Sequence, residues 1–293
     1  MRSLGLRRGW WTRRCIDLLI WPADLLTVID SYRSVFGRFP RLIRPRTYTE
    51  LIQRHKLLVR KRRYTTYADK LAVRDFIADR IGPEVLNPVL WQGTTLRTCD
   101  PAMLPERFVI KTNHACHTNL IVPDASRLDW DVACAQVERW LQWDYSRQWG
   151  EWEYRWIQPR VFIESFLADA EGRVPVDYKF FCAWGKVQVI EVDMDRFGTH
   201  TRLMLDRDFQ TYDFAWRVPR YQGPVTKPAA FEQMLEMAEC VAEGEPLLRV
   251  DFYDLPQPLF SEITLHPTAG LGKFDPPEWD RRMGEWFRGR KRR

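Results

Sequence analysis

None of the six cysteines is paired as C-x-x-C. That removes the usual zinc-ribbon and thiol-redox frames. In a chain of 293 residues it points to reduced, mostly buried thiols of a cytosolic protein. His114, Cys116 and His117 crowd one loop, but no second ligand pair lies at a useful spacing, which argues against zinc. No apolar run is long enough to cross a membrane. There are no internal repeats and no low-complexity stretches. Helix-turn-helix, zinc-finger and RNA-recognition signatures are missing, so no specific nucleic-acid partner is expected. A glycine-rich phosphate loop is missing as well.

What is present is a foldable chain with unevenly spread charge. Hydrophobic residues make up 45% and aromatics 14%, enough for a real core. Residues 1–63 hold 16 basic and 4 acidic residues, a net of +12, and residues 281–293 add a net of +6. The middle carries a net of −12. Basic ends of this kind meet anionic surfaces. Arg2, Arg7, Arg8, Arg13 and Arg14, with Trp10, Trp11 and Trp21, flank an apolar run at 15–29 that Asp17, Pro22 and Asp24 interrupt. No small-residue cleavage site follows, which argues against a signal peptide. Two readings stand: a helix lying in a membrane interface, or a helix packed on the body.

Periodicity predicts helices over 50–59 and 68–80, stopped by Ile81-Gly82-Pro83, and an amphipathic helix over 129–145. Trp149, Trp152 and Trp156 follow at near-helical spacing and read as core or interface. Strands are expected at 85–91, 107–111, 160–167, 177–183 and 186–193, with Trp184-Gly185 as a tight turn. A helix at 228–242 leads to a final hairpin. The alternation gives an α+β, two-lobed body. Its expected divisions are a basic helical segment at 1–45, a helical or αβ lobe at 46–100, a larger body at 101–285 and a basic tail at 286–293.

Chemistry concentrates in three places. Arg249 and Asp251 are two apart, so in a strand they share a face. Asp254, Pro256 and Pro258 supply a turn, and Glu262 lies in the returning strand. Two neighbouring carboxylates repel unless a cation separates them. Mg²⁺ takes oxygen ligands, usually one or two carboxylates plus phosphates. The alternative is a surface hairpin with scattered charges. Upstream, Lys111 ends an apolar strand and leads into the small, polar loop 113–119, where it is placed to pin a phosphate. Glu164 interrupts the apolar strand at 160–167. It could read the edge of a base or simply face water. Between these, Asp195, Arg196, His200 and Arg202 read as a solvated loop, with a two-point carboxylate grip as the alternative.

Taken in order, six segments resemble the ATP-grasp superfamily, most closely its TupA-like branch, which is linked to bacterial surface polymers such as teichuronopeptide. They are 45–50, 68–77, the Lys111 segment, 160–167, 177–186 and 249–270. The resemblance implies a two-lobed ATP-grasp-like fold with antiparallel sheets, here behind a basic helical N-terminal extension. It implies ATP and Mg²⁺ as cofactors. Lys70 and Lys111 would reach the nucleotide phosphates, and the loop 113–119 would cover them. Glu164, Ser165, Phe166 and Leu167 would form the adenine hinge. Asp177 would lie near the ribose, and Lys179 would reach a phosphate. Arg249 would stand near the transferred phosphoryl group, with Lys111 as its catalytic companion. Asp251, Glu262 and Thr264 would hold the metal. Thr264 departs from the asparagine usual in the family, and the loop lacks the usual glycines.

The implied activity is a carboxylate–amine ligase working through an acyl phosphate. It would add an amino acid or peptide group to a cell-surface polysaccharide or its precursor. Its partners would be ATP, a carboxylate and an amine. Its expected place is the cytoplasm, with peripheral contact at the inner face of the membrane through the N-terminus. Two rivals remain. Asp193-Met194-Asp195 matches the D-x-D pattern of a glycosyltransferase. A non-catalytic relative would account for Thr264 and the glycine-free loop.

Overall fold

The computed structural model describes residues 2–169, 172–195 and 198–289, with residues 2–14 described by backbone alone. Helix α1 (Arg2–Phe36) runs unbroken through Pro22. Its inner face packs on the body: Val28 and Tyr32 are fully buried. Trp21 Nε1 donates to Leu57 O at 3.1 Å, and Asp24 meets Arg60 at 2.5 Å and Arg155 at 2.6 Å. Its outer face leaves Leu18, Leu19 and Leu26 exposed. Among the described residues no helix is long and apolar enough to cross a membrane.

Three helices follow: α2 (Tyr48–Leu58), α3 (Arg63–Ala68) and α4 (Val73–Ile81). Thr47 caps α2 by accepting from Glu50 N, while Glu50 accepts from Arg46 N at 2.8 Å. This reciprocal pairing fixes the start of the helix.

The first sheet uses β1 (Val89–Gly93), β2 (Phe108–Thr112) and β3 (Asn119–Val122). After α5 (Trp130–Leu141) and the short α6 (Ser146–Trp149) comes β4 (Val161–Ser165). The order is β1-β4-β2-β3, antiparallel throughout. Ala133, Cys134 and Val137 of α5 pack against Phe108, Ile110, Val161 and Ile163. α5 stops short of the expected 145 because Asp144 turns back to accept from Ser146 Oγ at 2.6 Å, opening α6.

The second sheet begins with β5 (Asp177–Ala183), β6 (Lys186–Met194) and β7 (Thr201–Leu205). The expected Trp184-Gly185 turn joins β5 to β6, both residues having positive φ. Short β8 (Ala215–Trp216) and α7 (Phe231–Val241) lead to β9 (Leu248–Tyr253) and β10 (Leu259–Thr264). β11 (Phe274–Asp275) and α8 (Glu278–Phe287) close the chain. The order β10-β9-β5-β6-β7 is antiparallel throughout. One face is apolar: Phe180, Ile190, Val192, Val250 and Phe252 pack on Phe231, Met234 and Ala238 of α7. On the other face, Phe181, Val189 and Met204 are covered by Tyr48 and Met283, from α2 and α8. The rest of that face is charged. β8 and β11 form a short antiparallel pair of their own. The body is therefore α+β with two main antiparallel sheets and this small third one, and β7 and α8 are elements the sequence reading did not place.

Candidate active site

Strict alternation puts Leu248, Val250 and Phe252 in the core and turns Arg249, Asp251 and Tyr253 to the charged face. An irregularity in β10 between Phe260 and Glu262 resets the register, so Glu262 lies opposite Asp251 and Thr264 opposite Arg249. Arg249 bridges the carboxylates. Its Nε donates to Asp251 Oδ1 at 2.8 Å, and its Nη2 donates to Asp251 Oδ2 at 2.5 Å and to Glu262 Oε1 at 2.9 Å. Thr264 Oγ1 donates to Glu262 Oε1 at 3.3 Å. Burial pushes the Asp251 carboxyl up, to about 8, although Arg249 pulls it down.

The charged row continues across the sheet. Lys179 stands opposite Asp251 on one side and Glu191 on the other. It donates to Asp177 and lies 3.0 Å from Asp193. Burial works against the Lys179 charge, but Asp177, Asp251, Glu191 and Asp193 together hold it well above its usual value. Arg202 closes the row at 3.0 Å from Glu191 and 2.7 Å from Asp193. Arg249, Lys179 and Arg202 thus thread between Asp177, Glu191, Asp193, Asp251 and Glu262 along this row. The all-oxygen donor set of Asp251, Glu262 and Thr264 fits a hard divalent cation.

The first sheet contributes from its strand ends. Lys111 Nζ lies 3.1 Å from Glu164 Oε2, and Asn87 Nδ2 donates to the same oxygen at 2.9 Å. Burial disfavours the Lys111 charge, yet Glu164, Tyr253 and Glu262 raise its pKa. Glu262 therefore acts on a lysine of the other sheet. Ser165 N donates to Pro88 O at 3.1 Å as the chain leaves β4. Phe166 lies beneath the Arg107 guanidinium, 4.0 Å from ring to charge, and Leu167 is half-buried. Lys70, between α3 and α4, donates to Ala115 O at 2.6 Å and so braces the loop 113–119. Lys70, Tyr67, Tyr154, Ser261 and Glu262 line one cleft.

The structure thus gathers Arg249, Asp251, Glu262 and Thr264, and sets Lys70 and Lys111 beside them. Asp177 and Lys179 join the row one strand away. Glu164 spends its carboxylate on Lys111 and Asn87. Asp193 is held by Lys179, Arg202 and His200, the last at 2.9 Å. Asp195 turns away at φ 48 to accept from Thr199 N. The two aspartates of the D-x-D pattern therefore do not converge. Arg202 was expected in a solvated loop; it is buried on β7, and its signal was the short apolar run 203–205. Arg196 lies outside the described residues. Sequence reasoning missed Glu191, Asn87 and Tyr154, which carry no motif.

A family model described as TupA-like ATPgrasp matches residues 50–288. Among solved structures, a D-alanine–D-alanine ligase from Bacillus anthracis is 15% identical, with a TM-score of 0.40, over 68% of this chain and 57% of that one. An N5-carboxyaminoimidazole synthase from Aspergillus clavatus, complexed with ADP, is 11% identical, with a TM-score of 0.38, over 73% and 45%. An L-amino acid ligase from Bacillus licheniformis is 13% identical, with a TM-score of 0.40, over 76% and 43%. The chain spans roughly half the length of these proteins. No curated protein matches it. With the family model covering most of its length, the chain belongs to the TupA-like ATP-grasp family.

Proposed function

We propose that the protein is an ATP- and Mg²⁺-dependent carboxylate–amine ligase that adds an amino acid or peptide group to a cell-surface polysaccharide or its precursor. The observation that carries the reading is the β9–β10 hairpin. It holds Asp251 and the bidentate Arg249 against Glu262, which lines the same cleft as Lys70. Asp251, Glu262 and Thr264 would hold Mg²⁺, which when bound supplies charge compensation for the nucleotide phosphates. Arg249 would release part of its grip on Asp251 and stabilise charge on the transferred phosphoryl group. Lys111 and Lys70 would meet the remaining phosphates. Glu164 to Leu167 would face adenine, Asp177 the ribose, and Lys179 would keep the row's carboxylates in place or reach a phosphate. Loop 113–119, braced by Lys70, would exclude water that otherwise hydrolyses an acyl phosphate. A cytoplasmic enzyme with peripheral membrane contact fits the polymer substrate, and the outward stripe of Leu18, Leu19 and Leu26 on a basic helix supports that contact.

The test is calorimetric titration of ATP with and without Mg²⁺, beside Glu262→Ala and Lys111→Ala. Mg²⁺-dependent binding weakened by both changes supports the site. Amino acids that then trigger ADP release identify the substrate. A well-folded wild type that ignores ATP overturns the reading, and binding of UDP-sugars in its place would favour the glycosyltransferase.

A further inference from the structure

Beneath the hairpin lie two carboxylates with no lysine or arginine in contact among the described residues. Glu151 and Glu153, on either side of Trp152, are 5% and 1% exposed. Lys56 is nearby and fully buried, but its ammonium donates to Trp149 O at 2.8 Å and Ala269 O at 3.0 Å instead. Glu153 Oε2 has no hydrogen-bond partner among the described residues. Glu153 Oε1 faces His266 Nδ1 at 2.7 Å. One ligand atom from each of Glu151, Glu153 and His266 falls within 4.8 Å of the others. Buried carboxylates left like this are strongly disfavoured unless a proton or a cation joins them.

Proton counting along the neighbouring chain shows what His266 offers. Glu245 accepts from Lys61 at 2.9 Å and Arg63 at 2.5 Å, and also from Tyr64 Oη at 2.9 Å. The single Tyr64 proton is spent there. His55 Nε2, 3.3 Å from Tyr64 Oη, must therefore be the donor in that contact. In a neutral ring, His55 Nδ1 is then an acceptor. His266 Nε2, 2.9 Å from it, donates. A neutral His266 is left with a bare lone pair on Nδ1, pointing at the Glu153 carboxylate. Two lone pairs at that distance repel unless something positive lies between or beside them.

We infer that Glu151, Glu153 and His266 form a second cation site, separate from the hairpin carboxylates, that takes a divalent transition ion such as Zn²⁺ or Mn²⁺. A mixed nitrogen and oxygen set selects these ions over Mg²⁺. The relay from His266 through His55 and Tyr64 to Glu245 is then its outer support, fixing the tautomer with every contact holding one proton. The ion sits just past Thr264 in the chain. It anchors the loop where Thr268 and Ala269 both take positive φ, a conformation that Gln53 and Lys56 also hold through the carbonyls of Ala269 and Gly270. This inference is independent of the nucleotide reading.

The experiment uses full-length protein, stripped with chelator and then given Mn²⁺ or Zn²⁺ alone, without nucleotide. Wild type and Glu262→Gln should each retain one equivalent after gel filtration and melt at higher temperature than the stripped protein. Glu153→Gln should lose that equivalent. Pulsed EPR of bound Mn²⁺ should show nitrogen coupling from one imidazole, which the all-oxygen hairpin cannot supply. That measurement needs only wild type, so it decides the matter even where Glu153→Gln fails to fold. Folded wild type that retains no metal, or Mn²⁺ without nitrogen coupling, overturns the site. So does metal lost from Glu262→Gln and kept by Glu153→Gln.

Discussion

Arg249 shows why residue type matters more than charge at the hairpin. Its planar fork contacts both oxygens of Asp251 and one of Glu262. A lysine keeps the charge but offers no fork. Arg249→Lys should therefore fold normally by circular dichroism, yet lower substrate-dependent ADP release about 100-fold, the usual effect of losing one aimed donor. Unchanged turnover would separate Arg249 from the chemistry. Glu245 tests stability instead. Gln at this position removes the charge that Lys61, Arg63 and Tyr64 share. Both cations are partly exposed and fall back on water, so the expected loss is about 1–3 kcal/mol in urea unfolding, with an unchanged m-value. At this scale the sequence was legible where local rules suffice. Arg249 and Asp251 share a face by strand period alone, and Glu262 meets them through one turn. Glu191 and Arg202 were not legible. Their neighbours, Lys179 opposite Glu191 and Asp193 opposite Arg202, are set by strand register, which no local pattern encodes.

Two helices carry consequences of their own. Gly284 of α8 lies against the start of α2: a Cβ there would come within 2.7 Å of the backbone of Thr47 and Tyr48. Neither backbone can yield cheaply, because Thr47 caps α2 and Thr49 is tied to Asp280 of α8 by Oγ1 at 2.7 Å and by N at 2.9 Å. Gly284→Ala should thus cost about 1–3 kcal/mol by thermal melting, despite the better helix propensity of alanine. A neutral or stabilising result would mean that α8 is not seated as described. α8 had a readable signal in Trp279, Met283 and Phe287, all buried and spaced by four. Its tryptophan-rich, basic setting hid it among tail residues. α1 was legible as a helix, but which side it buries was not, because Asp17, Pro22 and Asp24 interrupt its apolar run. Asp17 and Asp24 instead meet Arg155, at 3.3 and 2.6 Å, and so belong to the inner face. The outer face is then free to act. Leu18→Ser with Leu19→Ser should weaken sedimentation with anionic vesicles, while ATP affinity stays the same. Vesicle binding that persists would assign the contact to the basic charge alone.

For the molecule as a whole, acid tolerance follows from the carboxylates that fold into cation contacts. Glu50 is held below its ordinary value of 4.5: burial raises it, but Arg46 N and the Arg38 guanidinium lower it further. Glu245 is likewise lowered from 4.5, with Arg63, Lys61 and Tyr64 outweighing burial. Asp193 is lowered from 3.8, because Lys179 and Arg202 overcome the cost of burying it. For each group the folded pKa lies below the unfolded one. Its contribution is therefore complete above the unfolded value and is lost as pH falls through the folded value. These groups tie together different parts of the chain: Glu50 the start of α2, Glu245 the segments around α3 and β9, Asp193 the charged row of the second sheet. Protonation should loosen all of them over one pH range. On the acid side the melting temperature should fall steeply below 4.5. Glu245→Gln should melt lower at neutral pH but lose less on acidification, so its curve converges on the wild type at low pH. Parallel curves at every pH would show that the Glu245 contacts contribute through packing and not through charge.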